Sequence, residues 1–140
     1  MSVRDSDQRP VSMAHFPDGE YRWLELHHQG EVYGHAALAE RGSDLELHLT
    51  LTRWGPRTRR RLAEDAAWLR AEAARLGKTR VLGLRACAAD GYDPKLFRFA
   101  RLYGFGEAWV LQAAAMTVET DKTHNSGLFL DTTRYRDVAL

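Results

Sequence analysis

The chain has 140 residues, with 20 Lys plus Arg against 19 Asp plus Glu, 6 His and one Cys. That length suits a single core, the net charge of +1 excludes a protein that seeks polyanions by bulk charge, and lone Cys87 excludes an internal disulfide or a cysteine-based zinc site. A hydrophobic content of 44% argues against disorder, and no stretch approaches the roughly 20 apolar residues that span a bilayer.

The opening MSVRDSDQRPVS has no apolar signal-peptide core, so the expected setting is intracellular. Residues 1–19 read as a polar N-terminal tail, with Pro10 and Pro17 in it and a turn at Asp18-Gly19. Glu20–Gln29 (EYRWLELHHQ) then predicts a strand, turned by Gly30-Glu31 into a second strand over Val32–Glu40. A turn at Arg41–Asp44 leads to Leu45–Thr52 (LELHLTLT), where four leucines share one face and Glu46, His48, Thr50 and Thr52 the other. The first half is thus a three-stranded antiparallel meander.

The period then changes. Leu62, Ala66, Leu69, Ala73 and Leu76 follow helical spacing between Pro56 and the stop at Gly77. Thr79–Arg85 predicts a short buried strand and Cys87–Tyr92 a loop. Asp93-Pro94 opens a helix to about Tyr103, with Leu96, Phe99 and Tyr103 on one face. Glu107–Val118 predicts a last strand, and residues 119–140 a linker and tail carrying the apolar patch Leu128-Phe129-Leu130. The order β-β-β-α-β-α-β is an α+β layout with a mixed sheet: the meander, then a βαβαβ-type second half.

Three segments resemble the GNAT superfamily of acyl-CoA-dependent N-acyltransferases. Ala71–Leu84 (AEAARLGKTRVLGL) looks like that family's central helix leading into its fifth strand. Leu96–Phe105 (LFRFARLYGF) looks like its FYEKLGF segment, and the strand from Glu107 like its sixth strand. The resemblance covers residues 20–118 and implies a GNAT-like fold there. Its short, degenerate form is similar to bacteriophage-encoded GNAT-like proteins. The family opens with a strand and two helices, which have no counterpart in the tail as read here. Its pyrophosphate loop, Arg/Gln-x-x-Gly-x-Gly/Ala, falls on RTRRRL, Arg57 to Leu62, without the glycines. The tyrosine that often serves the family as general acid falls on Ala100, with Tyr103 one turn later.

Two groups of residues carry chemistry. Arg53, Arg57, Arg59, Arg60 and Arg61 gather at a helix start, the positive end of the dipole, where cations are unfavourable. A polyphosphate such as coenzyme A, or an acidic protein surface, would offset this, with Trp54 and Gly55 in the same loop; local pairing with Glu64, Asp65 and Glu72 is the plainer alternative. On the meander, pairing about the expected turns places His28, His35, Glu46 and His48 on one sheet face, with His35 near Thr50. A polar face covered by the tails or a partner is the plain reading, and a base or a metal set the sharper ones; no metal is assigned. By the resemblance, Glu46 or His48 would be the base, Tyr103 the acid, and Arg53–Arg61 the acetyl-CoA site. The aromatics Trp109, Phe97, Phe99 and Phe105 read as core. Taken together, the sequence suggests a GNAT-like domain lacking full catalytic equipment and serving as an interaction module in a larger assembly, such as a bacteriophage virion or accessory protein. An acetyl-CoA-dependent N-acetyltransferase is the alternative. The expected partners are a protein or a second copy, through the tails and the arginines; membrane is excluded, and the low net charge argues against nucleic acid. The expected location is the cytoplasm, or a virion.

Overall fold

The computed structural model describes residues 2–85, 94–110, 114 and 116. They belong to two units, one ending at Leu84 and one beginning at Arg85. What the sequence leads one to expect of Cys87, Asp93 and residues 119–140 lies outside the described residues.

In the first unit, strands β1 (Val3–Ser6), β2 (Arg22–His28), β3 (Glu31–Arg41), β4 (Asp44–Leu51) and β5 (Arg80–Gly83) form one sheet in chain order. Helix α1 (Pro56–Arg75) crosses from β4 to β5. All neighbours are antiparallel except β4 and β5, which are parallel, as a helical crossover requires. The fold class is α+β with a mixed sheet. Gly77 ends the helix as expected, and Lys78 N–H donates to the Ala73 carbonyl at 2.9 Å.

The two meander turns differ in how well the sequence placed them. Glu40 pairs with Leu45 and His35 with Thr50, as the sequence suggests. The β2–β3 turn sits one residue earlier than expected, at Gln29-Gly30, with φ of 51° and 79°. Two positive φ values make the tight turn that matches strand twist, which Gly30 supplies without strain. The register also shifts between Leu26 and His27, leaving Tyr33 as the extra residue of β3. Tyr33 uses that bulge to donate its hydroxyl to Asp65 on α1, which also accepts from the Ser2 hydroxyl.

Residues 3–6, expected within a polar tail, instead form β1 and pair from Val3↔Leu26 to Ser6↔Trp23. The backbone groups along β2's outer edge need partners, and buried Val3 anchors the pairing; four residues, with charged Arg4 and Asp5 among them, make a short, protected edge. A 3₁₀ turn at Val11–Met13 follows. Met13 and Phe16 are buried against Tyr21, Ala37 and Ala39, so the supposed tail supplies core.

α1 covers the other face. There Leu24 and Leu45 are fully buried, and from the helix Leu62, Leu69 and Ala73 are buried. Arg22 fixes the contact: it donates to Glu72 at 2.6 Å on one side and grips Asp5 on the other, its guanidinium 5.7 Å from the Trp68 ring. The Arg75 and Arg22 guanidiniums hold the Glu72 carboxyl down to about 2, from an ordinary 4.5; Arg22 lowers Asp5 as well. Both carboxyls titrate lower folded than unfolded. Their stabilisation is therefore complete above the unfolded value and fades as pH falls from about 4.5 towards 2. Melting temperature measured across that acid range should fall with pH, and Glu72→Gln should flatten the fall.

In the second unit, α2 (Pro94–Arg101) forms with Phe99 against Tyr103, ring centres 5.1 Å apart. Tyr103 is buried. Of the strand expected over Glu107–Val118, residues 107–110 have no regular secondary structure; apart from Ala114 and Met116, the remainder lies outside the described residues. Trp109, expected in the core, is 49% exposed. No helix among the described residues is long and apolar enough to cross a membrane.

Candidate functional site

The β4 alternation that exposed Glu46 and His48 as a pair also puts them on the sheet face away from α1. There they meet Tyr21, Arg41 and Phe16. His48 Nε2 lies 2.6 Å from Glu46 Oε1, which also accepts from the Tyr21 hydroxyl at 2.8 Å. Glu46 Oε2 accepts from Arg41 Nε at 3.0 Å. Arg41 donates onward to Glu20 at 2.7 Å, and its guanidinium lies 5.7 Å from the Tyr21 ring centre. Phe16 stands edge-on to His48, ring centres 4.8 Å apart. Glu46 is 4% exposed and His48 8%.

This geometry constrains the chemistry. Glu46 is engaged through both oxygens, one of them facing the Arg41 guanidinium. His48 is aligned by Glu46 and walled by aromatic rings. Burying such a cluster is tolerable only because each member is paired. Sequence reasoning found Glu46 and His48 but missed Tyr21, Arg41 and Phe16. Arg41 shares the parity of Ala37 and Ala39 on β3, which was the available signal.

The expected histidine face forms only in part. His35 lies opposite Glu25 and Thr50, on the side of Glu46 and His48. Alternation along β2 places His27, not His28, beside Glu25, with His27 Nε2 2.9 Å from Glu25 Oε2. The early turn and the bulge cause the swap, since one residue of slip reverses every side chain. Among the described residues, no group of three or more His, Cys, Asp or Glu side chains could hold a metal ion.

The arginine loop lies at the start of α1. Gly55 is its N-cap, Pro56 its first residue, no side chain caps it, and its first turn has no acid. Arg53 pairs with Glu31 and Arg61 with Glu64. Asp65, expected to pair locally, is turned into the core. Arg57 and Arg60 are exposed and make no ion pair or hydrogen bond with any described residue; Arg59 is also exposed, and Trp54 is 57% exposed. A Cβ built on Gly55 would meet nothing within 4 Å, so the space beside this residue is open. These residues fit a phosphate-like anion, although Pro56 withholds one donor and the neighbouring glycines are missing. Tyr103 belongs to the second unit.

The described architecture is that of an α+β protein built from a meander and a parallel crossover. No protein-family model and no curated protein sequence matches the chain. Among solved structures it is similar to an aminoglycoside acetyltransferase from an uncultured soil metagenomic sample, at 18% identity over 79% of this chain and 77% of that one, with a TM-score of 0.45.

Proposed function

We propose that the chain is a GNAT-like domain that serves as a non-catalytic interaction module in a larger assembly, of the kind found among bacteriophage accessory and virion proteins. The observation that carries this reading is the sealed state of Glu46 and His48. A transfer base needs a lone pair within reach of its substrate, whereas this carboxylate is engaged on both oxygens and the His48 ring stands edge-on to Phe16 and Tyr21. The link between β1 and β2 supports it too. A single 3₁₀ turn stands where the resemblance implies two helices. The exposed Arg57, Arg59 and Arg60 then face an acidic protein partner or a second copy, in the cytoplasm or a virion.

A second reading, an acetyl-CoA-dependent N-acetyltransferase, is favoured by the uncapped, acid-free start of α1. Arg53, Arg57, Arg59, Arg60 and Arg61 would hold coenzyme phosphates there, with Trp54 and Gly55 alongside. Glu46, His48 and Tyr103 would be the candidates for proton transfer. The coenzyme would supply the activated acyl group.

One titration separates the two. A ligand at 100 times its dissociation constant adds about 2.7 kcal/mol to the native state. The interaction module should show an unchanged melting temperature in excess acetyl-CoA; a rise of several degrees would show coenzyme binding and overturn the module reading in favour of the second. The charge reversal Arg57→Glu with Arg60→Glu should weaken association with an acidic partner, or with itself, by about tenfold at low salt, and the effect should shrink as salt rises. Light scattering or pull-down over a salt series measures this.

A further inference from the structure

Helix α2 presents two different faces. Phe99 packs on Tyr103, while Pro94, Phe97, Arg98 and Arg101 recur at helical spacing on another side. After α2 the chain turns back, with Phe105 N–H donating to the Ala100 carbonyl at 3.2 Å. Ala108, Trp109 and Val110 then form the opposite wall of a groove of about 330 Å³. Trp109 is 49% exposed and Val110 61%. Large apolar surface left open in a concave site marks a place where something binds.

The charge pattern selects the occupant. Arg98 and Arg101 make no ion pair or hydrogen bond with any described residue. From 94 to 110 the chain carries Lys95, Arg98 and Arg101 against Glu107 alone. Two guanidiniums less than one helical turn apart, beside an aromatic floor, match a planar anion on an apolar body. We propose that this groove binds a small aromatic carboxylate, with the ring against Phe97 and Trp109 and the carboxylate between Arg98 and Arg101. The assignment concerns the second unit alone and does not depend on whether the chain transfers acyl groups.

The probe is 3-phenylpropionate, titrated into the full chain beside its uncharged amide. The indole N–H resonance of Trp109, assigned through Trp109→Phe, reports occupancy of this groove rather than another. The carboxylate should shift that resonance and bind about tenfold tighter than the amide. Arg98→Gln with Arg101→Gln should abolish the preference at unchanged melting temperature. Equal binding of acid and amide, no shift at Trp109, or a preference that survives in the double variant would overturn the proposal. If the double variant melts lower, Arg98→Lys with Arg101→Lys keeps the charge without the forked geometry and should retain a reduced preference; loss of discrimination between acid and amide in that variant would count against the site.

Discussion

Glu46→Ala is expected to destabilise the protein by about 3–5 kcal/mol, the usual effect of removing one partner from a buried ion pair. That corresponds to about 10 °C or more in melting temperature for a domain of this size. The reason lies in what remains. Arg41 would keep its link to Glu20 but lose the carboxylate it faces, the Tyr21 hydroxyl would lose its acceptor, and His48 would lose the carboxylate that aligns it between Phe16 and Tyr21. Glu46→Gln keeps an acceptor for Tyr21 and should cost less. Tyr21→Phe removes one hydroxyl and should cost about 1 kcal/mol. Thermal and denaturant unfolding measure all three. A Glu46→Ala protein that melts with the parent would show that the cluster does not hold the sheet face together.

The second large effect concerns β3. A Cβ built on Gly34 would lie 2.9 Å from the Thr50 carbonyl oxygen, 3.0 Å from Leu51 Cδ2 and 3.3 Å from Leu26 Cδ1. The leucine ends can turn away, but Thr50 belongs to the β3–β4 ladder and its carbonyl cannot move without the strand. Gly34→Ala should therefore destabilise by about 1–3 kcal/mol, as overpacking does. The sign is diagnostic. At an open strand position the same change would stabilise by about 0.5–1 kcal/mol, because glycine carries the larger entropic cost of ordering. Chemical denaturation of Gly34→Ala decides it, and a more stable variant would mean that β4 is not packed against β3 at this point.

Much of the sheet was legible because its signals are local. The leucine alternation of β4 and the three-or-four spacing of α1 each follow from one segment folding against one apolar layer. β1 was hidden because VRDS is polar; its strand character comes from the free edge of β2, which no local pattern encodes. The His27-for-His28 exchange came from a turn one residue early and a bulge at Tyr33, whose hydroxyl reaches Asp65 on α1. In the site, Glu46 and His48 were readable as alternate residues on one strand. Tyr21, Arg41 and Phe16 come from elsewhere in the chain, so only folding reveals that the pair is enclosed. The arginine cluster was plain as composition, but its division into paired Arg53 and Arg61 and exposed Arg57 and Arg60 depended on where Glu31, Glu64 and Asp65 finally lie.

The strand order has a consequence for how the molecule assembles. Strands lie in the sheet as they follow in the chain, so each pairing from β1 to β4 joins sequence neighbours. Among the described strands the longest closure is the α1 crossover from Leu51 to Arg80, ahead of the link from Ser6 to Arg22. The β2–β3–β4 meander can therefore zip up by successive tight turns, with the costliest closure of the sheet left to the helix that carries the arginines.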